Sequence, residues 1–140
     1  MTISKLARNP YSLAMAAKFL CDVEPFNRFE FGPTFTTLFC QIDDGTHLII
    51  ERDDSIAGYL GWVETTDEIA AGWIDRGERL RHVKDGGAAA VTIFYALDPK
   101  DALKMIRAAK EMVPQASVYW KRYFVDGRAP ASRSVRKKNG

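Results

Sequence analysis

The sequence predicts an α/β domain: a mixed sheet with a central hairpin, then a parallel strand-helix-strand unit, with helices on both faces. Three observations predict it. Residues 47–63 read HLIIERDDSIAGYLGWV, two apolar, β-branched and aromatic runs around Arg52-Asp53-Asp54-Ser55. Asp and Ser favour turns because their side chains hydrogen-bond the local backbone, so the stretch is a hairpin. Residues 89–124 read as strand, helix and strand, and a crossover of that kind joins parallel strands with a right-handed turn. Helical periodicity fills most of the remainder.

Asn9-Pro10 starts the first helix, since Asn caps and Pro fits the first turn. Leu13, Ala16, Ala17 and Leu20 continue it at helical spacing, and it stops before Pro25. Residues 23–33, VEPFNRFEFGP, form a loop rich in aromatics. Phe35, Leu38, Phe39 and Ile42 then recur at helical spacing, with a strand competing because the segment is rich in Thr. Asp43-Asp44-Gly45 ends that element. Gly58 and Gly61 interrupt the second hairpin strand; a strand glycine marks a bulge or a close approach. Thr65-Thr66-Asp67-Glu68 starts a helix that reaches about Gly77, capped by Thr with acids at its positive end. Residues 78–87 are a charged, Gly-rich surface loop. Ala89–Leu97 is a buried strand. Asp98-Pro99 opens a helix whose inner face is Ala102, Ile106, Ala109 and Val113, with Leu103 alongside; Pro114 ends it. Ser117–Phe124 is the last strand.

The 140 residues suit one domain, and three Trp, five Tyr and eight Phe supply a core. No run approaches the ~20 apolar residues of a membrane span. The N-terminus lacks the apolar core of a signal peptide, so a cytoplasmic location is expected. Cys21 and Cys40 fall in helices and read as reduced thiols. With only His47 and His82 beside them, no metal site is expected. The net charge of +2 is uneven. Residues 126–140 hold Arg128, Arg133, Arg136, Lys137 and Lys138 against Asp126, leaving a near-neutral body. The expected organisation is a domain over 1–125 and a basic flexible tail over 126–140. A basic tail can hold nucleic acid, but this one has no interleaved aromatics for base stacking, and a solubilising end is the preferred reading.

The order of elements resembles the GNAT-like acyltransferase fold. The usual acyl-CoA variant has a glycine-rich loop between the strand and the helix. Here that junction is Ala96-Leu97-Asp98-Pro99-Lys100-Asp101-Ala102, without glycine. One branch also lacks the loop, the toxin-activating lysine acyltransferases that modify RTX hemolysin protoxins. Glu24-Pro25-Phe26-Asn27-Arg28 is similar to that family's Ser-Pro-Leu-His-Arg segment. Ile50-Glu51-Arg52-Asp53 with Ile56 through Trp62 resembles its hairpin, and Ala102-Leu103 with the later Pro114 resembles its long helix. The matches are short and scattered over roughly residues 10–124.

The resemblance implies transfer of a fatty acyl group from acyl-acyl-carrier protein to a lysine of a partner protein. It implies no permanently bound cofactor; the acyl thioester, on carrier protein or CoA, is a co-substrate. The family's catalytic histidine and aspartate fall on Asn27 and Thr92. An amide has no basic nitrogen near neutral pH, and Thr92 carries no negative charge, so the family's acid–base chemistry cannot run there. A non-catalytic binding or accessory protein on the same fold is the alternative.

Other candidates are weaker. Asn27 as a donor to a thioester carbonyl competes with a loop Asn bonded to its own backbone, the preferred reading. His47 and His82 as relocated bases compete with surface histidines at strand edges. Cys40 as a nucleophile competes with a small buried hydrophobe. Asp53-Asp54 belongs to the turn. Lys100, Lys104 and Arg107 recur along one side of the 99–113 helix, extended by Lys110. The stripe suits an acidic carrier protein or a CoA phosphate, against an ordinary solvated face. Lys121 and Arg122, interleaved with Trp120 and Tyr123, extend it across the last strand.

Overall fold

The computed structural model describes residues 2–121 and the backbone of 133–136. The elements run β1 (Thr2–Ser4), α1 (Pro10–Leu20), a 3-10 turn (Phe26–Arg28), α2 (Phe31–Asp44), β2 (His47–Arg52), β3 (Ser55–Thr66), α3 (Asp67–Arg76), β4 (Gly87–Ala96), α4 (Pro99–Met112), β5 (Ser117–Lys121) and β6 (Arg133–Arg136). The six strands form one sheet in chain order. Neighbours pair antiparallel except β4 and β5, which run parallel around α4 as expected. Strand β1 is an addition; three residues are too few to carry a pattern. Strand β6 lies in the segment expected to be a flexible tail, and at these four residues the chain is extended and paired with β5. Arg122, Tyr123, Phe124 and the rest of that tail lie outside the described residues. Among those described, no helix is long and apolar enough to cross a membrane.

Local chemistry sets the boundaries. The Asn9 side chain accepts from the Ser12 N–H at 2.8 Å, with Pro10 in the first turn. The hairpin turns at Asp53 and Asp54, both at positive φ (53° and 61°). Paired left-handed residues match the right-handed twist of the strands, and Asp tolerates that region. Thr66 caps α3 by accepting from Ile69 N–H at 3.2 Å, and Gly77 ends it at φ 66°.

The sheet is covered on both faces. Helix α4 packs on Leu48, Ile50, Leu60, Trp62 and Phe94. On the other face, α1 and α2 cover Ile49, Tyr59 and Ile93, and α3 covers Ala88, Ala90 and Tyr119.

Two helices keep part of their expected faces and add a polar residue to the buried side. Helix α2 buries Leu38, Gln41 and Ile42, while Phe35 and Phe39 stay exposed. Cys40 is exposed rather than buried, because it lies two residues from Leu38, more than half a turn around the helix. Helix α4 buries Asp101, Met105 and Ala109, with Ala102, Ile106 and Val113 of the expected face packed partly buried against the same core; Leu103 is exposed. The buried Asp101 meets Arg52 at the end of β2, whose guanidinium donates to both its oxygens at 2.7–3.2 Å. This pair turns an acidic side chain into the core and staples the hairpin to the first turn of α4.

Candidate functional site

The parallel ladder between β4 and β5 has three rungs, the last joining Ala90 to Tyr119. Both strands continue, β4 to Ala96 and β5 to Lys121, without further pairing to each other. The sheet therefore opens beyond Ala90, and the β5-facing edge of β4 has no strand partner among the described residues. Just past that point β4 carries an extra residue. Trp62 pairs with Val91 and Gly61 with Ile93, so Thr92 has no opposite number. Such a bulge breaks the alternation of side chains. Val91 packs toward α4, whereas Thr92 and Ile93 both turn toward α2.

Thr92 ends a buried hydrogen-bond chain. The Tyr59 hydroxyl donates to Gln41 Oε1 at 2.8 Å. Gln41 Nε2 donates to Thr92 Oγ1 at 2.7 Å. Burial pushes the Tyr59 phenol well above its ordinary range, so it remains a neutral donor. The main chain of Gln41 is held too. His47 Nε2 accepts from the Leu6 N–H at 2.9 Å, which leaves Nδ1–H to donate to the Gln41 carbonyl at 3.0 Å. His47 stacks on Tyr59 with ring centroids 5.9 Å apart. Burial holds its imidazole below the ordinary range; the Gln41 bond opposes this, and the charge on Lys5 adds to it. The expected surface histidine is thus a neutral core residue. Gly61 makes the chain possible: a Cβ there would overlap the Gln41 amide.

Outside Thr92 lies an open cleft of about 520 Å³ lined by Arg28, Phe29, Glu30, Pro33, Thr34, Thr37, Thr92 and Ile93. One wall is the start of α2 and the turn before it; the floor is the β4 bulge. Glu30 is the acid of this lining, and no His or Cys belongs to it. Among the described residues no group of three metal-ligating side chains occurs.

No protein-family model matches the chain, and no curated protein's sequence does. Solved structures match in fold. The loading GNATL domain of CurA from Lyngbya majuscula superposes with a TM-score of 0.61 at 13% identity, covering 89% of this chain and 67% of that one. The GphF GNAT-like decarboxylase in complex with isobutyryl-CoA gives 0.59 at 15% identity, over 92% and 73%. An acetyltransferase gives 0.52 at 9% identity, over 99% and 100%. The fold is GNAT-like. At these identities the likeness speaks for the architecture alone.

Within this GNAT-like fold the expected site residues separate. Thr92 is on the cleft floor. Asn27 sits in the 3-10 turn, exposed, its N–H bonded to the Val23 carbonyl at 2.9 Å. Its neighbours Arg28 to Glu30 line the cleft; Asn27 itself does not. Lys100, Lys104 and Arg107 are exposed on α4, on the opposite face of the sheet from Thr92. The start of α4 is less positive than a bare helix N-terminus. The Asp98 carboxylate accepts from Lys100 N–H at 2.9 Å, and Asp101 sits in the same turn. His82 is exposed, with Nε2 3.8 Å from a Glu64 oxygen.

Gln41, Tyr59 and Glu30 are the residues that sequence reasoning missed. Gln41 had one signal, a polar side chain three residues after Leu38 and next to Ile42, where a helix turns inward. Glu30 had none; its place depends on how the loop folds over the bulge.

Proposed function

We propose that this GNAT-like chain binds an acyl thioester, on a carrier protein or CoA, and passes the acyl group to an amine, as the resemblance to toxin-activating lysine acyltransferases implies. The observation that carries the reading is the end of the β4–β5 ladder at Ala90 beside the Thr92 cleft. A slim pantetheine arm fits between strands that have separated, with its phosphate on the α4 side and its acyl end on the cleft side. Unpaired N–H groups of β4 are then oriented toward a thioester carbonyl, where charge develops during attack. The Thr92 oxygen accepts from Gln41, so its own O–H is available to donate into the cleft. Lys100, Lys104 and Arg107 supply positive charge for a phosphate or an acidic carrier surface. Glu30, the acid of the cleft lining, supplies a negative charge for an incoming ammonium. With neither Asn27 nor Thr92 a base, most of the acceleration comes from positioning and carbonyl polarisation.

The test is incubation with acyl-CoA and acyl-acyl-carrier protein in the presence of a lysine peptide, followed by intact-mass spectrometry. A complex and an acylated amine are expected; no complex with either thioester refutes the proposal. Replacing Lys100, Lys104 and Arg107 together by Glu is expected to weaken carrier-protein binding about tenfold or more, and unchanged affinity would reduce the stripe to a solvated face. A second reading, thioester binding without transfer, is favoured by the missing imidazole in the cleft. Binding with no turnover would establish it.

A further inference from the structure

Lys121 is the last described residue of β5, two residues beyond Tyr119 on the final rung of the parallel ladder. Thr92 lies two residues beyond Ala90 on the other side of the same rung. The two occupy equivalent places on the diverging strands. They also share a face of the sheet. Tyr119 packs with Ala70, Ala88 and Ala90 under α3, and Lys121, next on that side, holds its ammonium nitrogen 4.5 Å from the Trp73 ring centre. Thr92 turns toward α2 on the same face. No carboxylate pairs with Lys121 among the described residues. Two effects act on its charge: the Trp73 face favours the ammonium, and burial disfavours it. Burial holds the amine below the usual lysine range. Desolvated lysines are the ones that serve as nucleophiles near neutral pH.

We propose that Lys121 is itself an acyl acceptor, taking the acyl group of the thioester held in the β4–β5 opening. The inference rests on the thioester binding proposed above. In the step, the lone pair of neutral Nζ attacks the thioester carbonyl carbon. A C–N bond forms, the C–S bond breaks, and the departing thiolate takes the proton shed by nitrogen. The product is an amide on Lys121 and a free thiol, with no oxidation or reduction. Acylation removes the charge over Trp73 and lays an acyl chain along the opening.

The experiment combines three readouts on the full chain: thermal shift with a non-hydrolysable acyl-CoA thioether for binding, intact mass after incubation with acyl-CoA, and peptide mapping of any adduct. The expected result is one acyl group per chain, resistant to hydroxylamine as an amide is, and mapped to Lys121. Lys121→Arg keeps a cation over Trp73 and removes the nucleophile, so it should melt like the parent and lose at least tenfold of the adduct. Binding without an adduct overturns this proposal and leaves thioester binding standing. An adduct spread over the exposed lysines, or undiminished in Lys121→Arg, overturns it as well. Neither binding nor adduct overturns both readings. Should Lys121→Arg fold poorly, the map on the parent chain decides.

Discussion

The Gln41 side chain meets Tyr59 through its oxygen and Thr92 through its nitrogen, and its carbonyl meets His47. Gln41→Leu leaves the Tyr59 hydroxyl buried without an acceptor and is expected to cost about 2–3 kcal/mol. Tyr59→Phe made with it should restore part of the loss, since removing both partners is gentler than removing one. Urea denaturation of the two singles and the double variant checks this; additive losses would break the chain into independent contacts. Gly61→Ala forces a Cβ onto the same amide and should cost about 1–3 kcal/mol. His47 sets a pH dependence. Its native pKa lies below the ordinary 6.5, so well above pH 6.5 the ring is neutral in both states. As pH falls below 6.5, the unfolded chain binds a proton that the native ring refuses. Stability is then lost with falling pH at up to about 1.4 kcal/mol per unit, until the native ring also titrates. An NMR titration should find the His47 ring titrating below the ordinary histidine range, with Nδ1 carrying the proton of the neutral form; titration at or above 6.5 would contradict the geometry.

Among the elements, α2 and α4 show what periodicity can and cannot say. Both form where the spacing predicts, and α2 resolves the helix-or-strand competition because Leu38, Gln41 and Ile42 bury as one helical face. Both also turn inward a polar residue that periodicity did not predict, beside Leu38 and Ile42 in α2 and beside Ala109 in α4. For α4 that residue is Asp101, 1% exposed and paired with Arg52, itself partly open to water. Removing one side of a buried pair strands the other. Arg52→Ala therefore should lower the melting temperature more than Asp101→Asn, because the first leaves a carboxylate in the core and the second leaves a guanidinium that can turn to solvent. Thermal melts of the two variants rank them; the reverse order would show that Asp101 reaches water on its own.

At the scale of the molecule, the parallel pairing of β4 and β5 and its early end shape the opening, and the bulge at Thr92 turns two successive side chains to the cleft. Thr92→Val keeps the shape and removes the donor. Acyl transfer is expected to fall about tenfold or more if that hydroxyl polarises the carbonyl, with thioester affinity little changed. Thr92→Ser should retain activity. Steady-state rates on the proposed substrates check both, and an unaffected Thr92→Val would leave the carbonyl to the main chain.

Much of this was legible in the amino acids alone. The Asn9-Pro10 start, the Asp53-Asp54 turn, the Thr66 cap and the crossover over residues 89–124 are written in local chemistry, where side chains bond their own backbone or repeat with the period of their element. The GNAT-like architecture follows from their order. What only the tertiary structure decided are contacts between residues far apart in the chain. Gln41 is buried because Tyr59 and Thr92 wait for it, Asp101 because Arg52 does, and His47 because Leu6 and Gln41 close over it. A polar side chain enters a core when its partners already stand there, and no local pattern records where those partners are. The cleft depends on the same kind of fact, a ladder that stops and a strand with one residue too many.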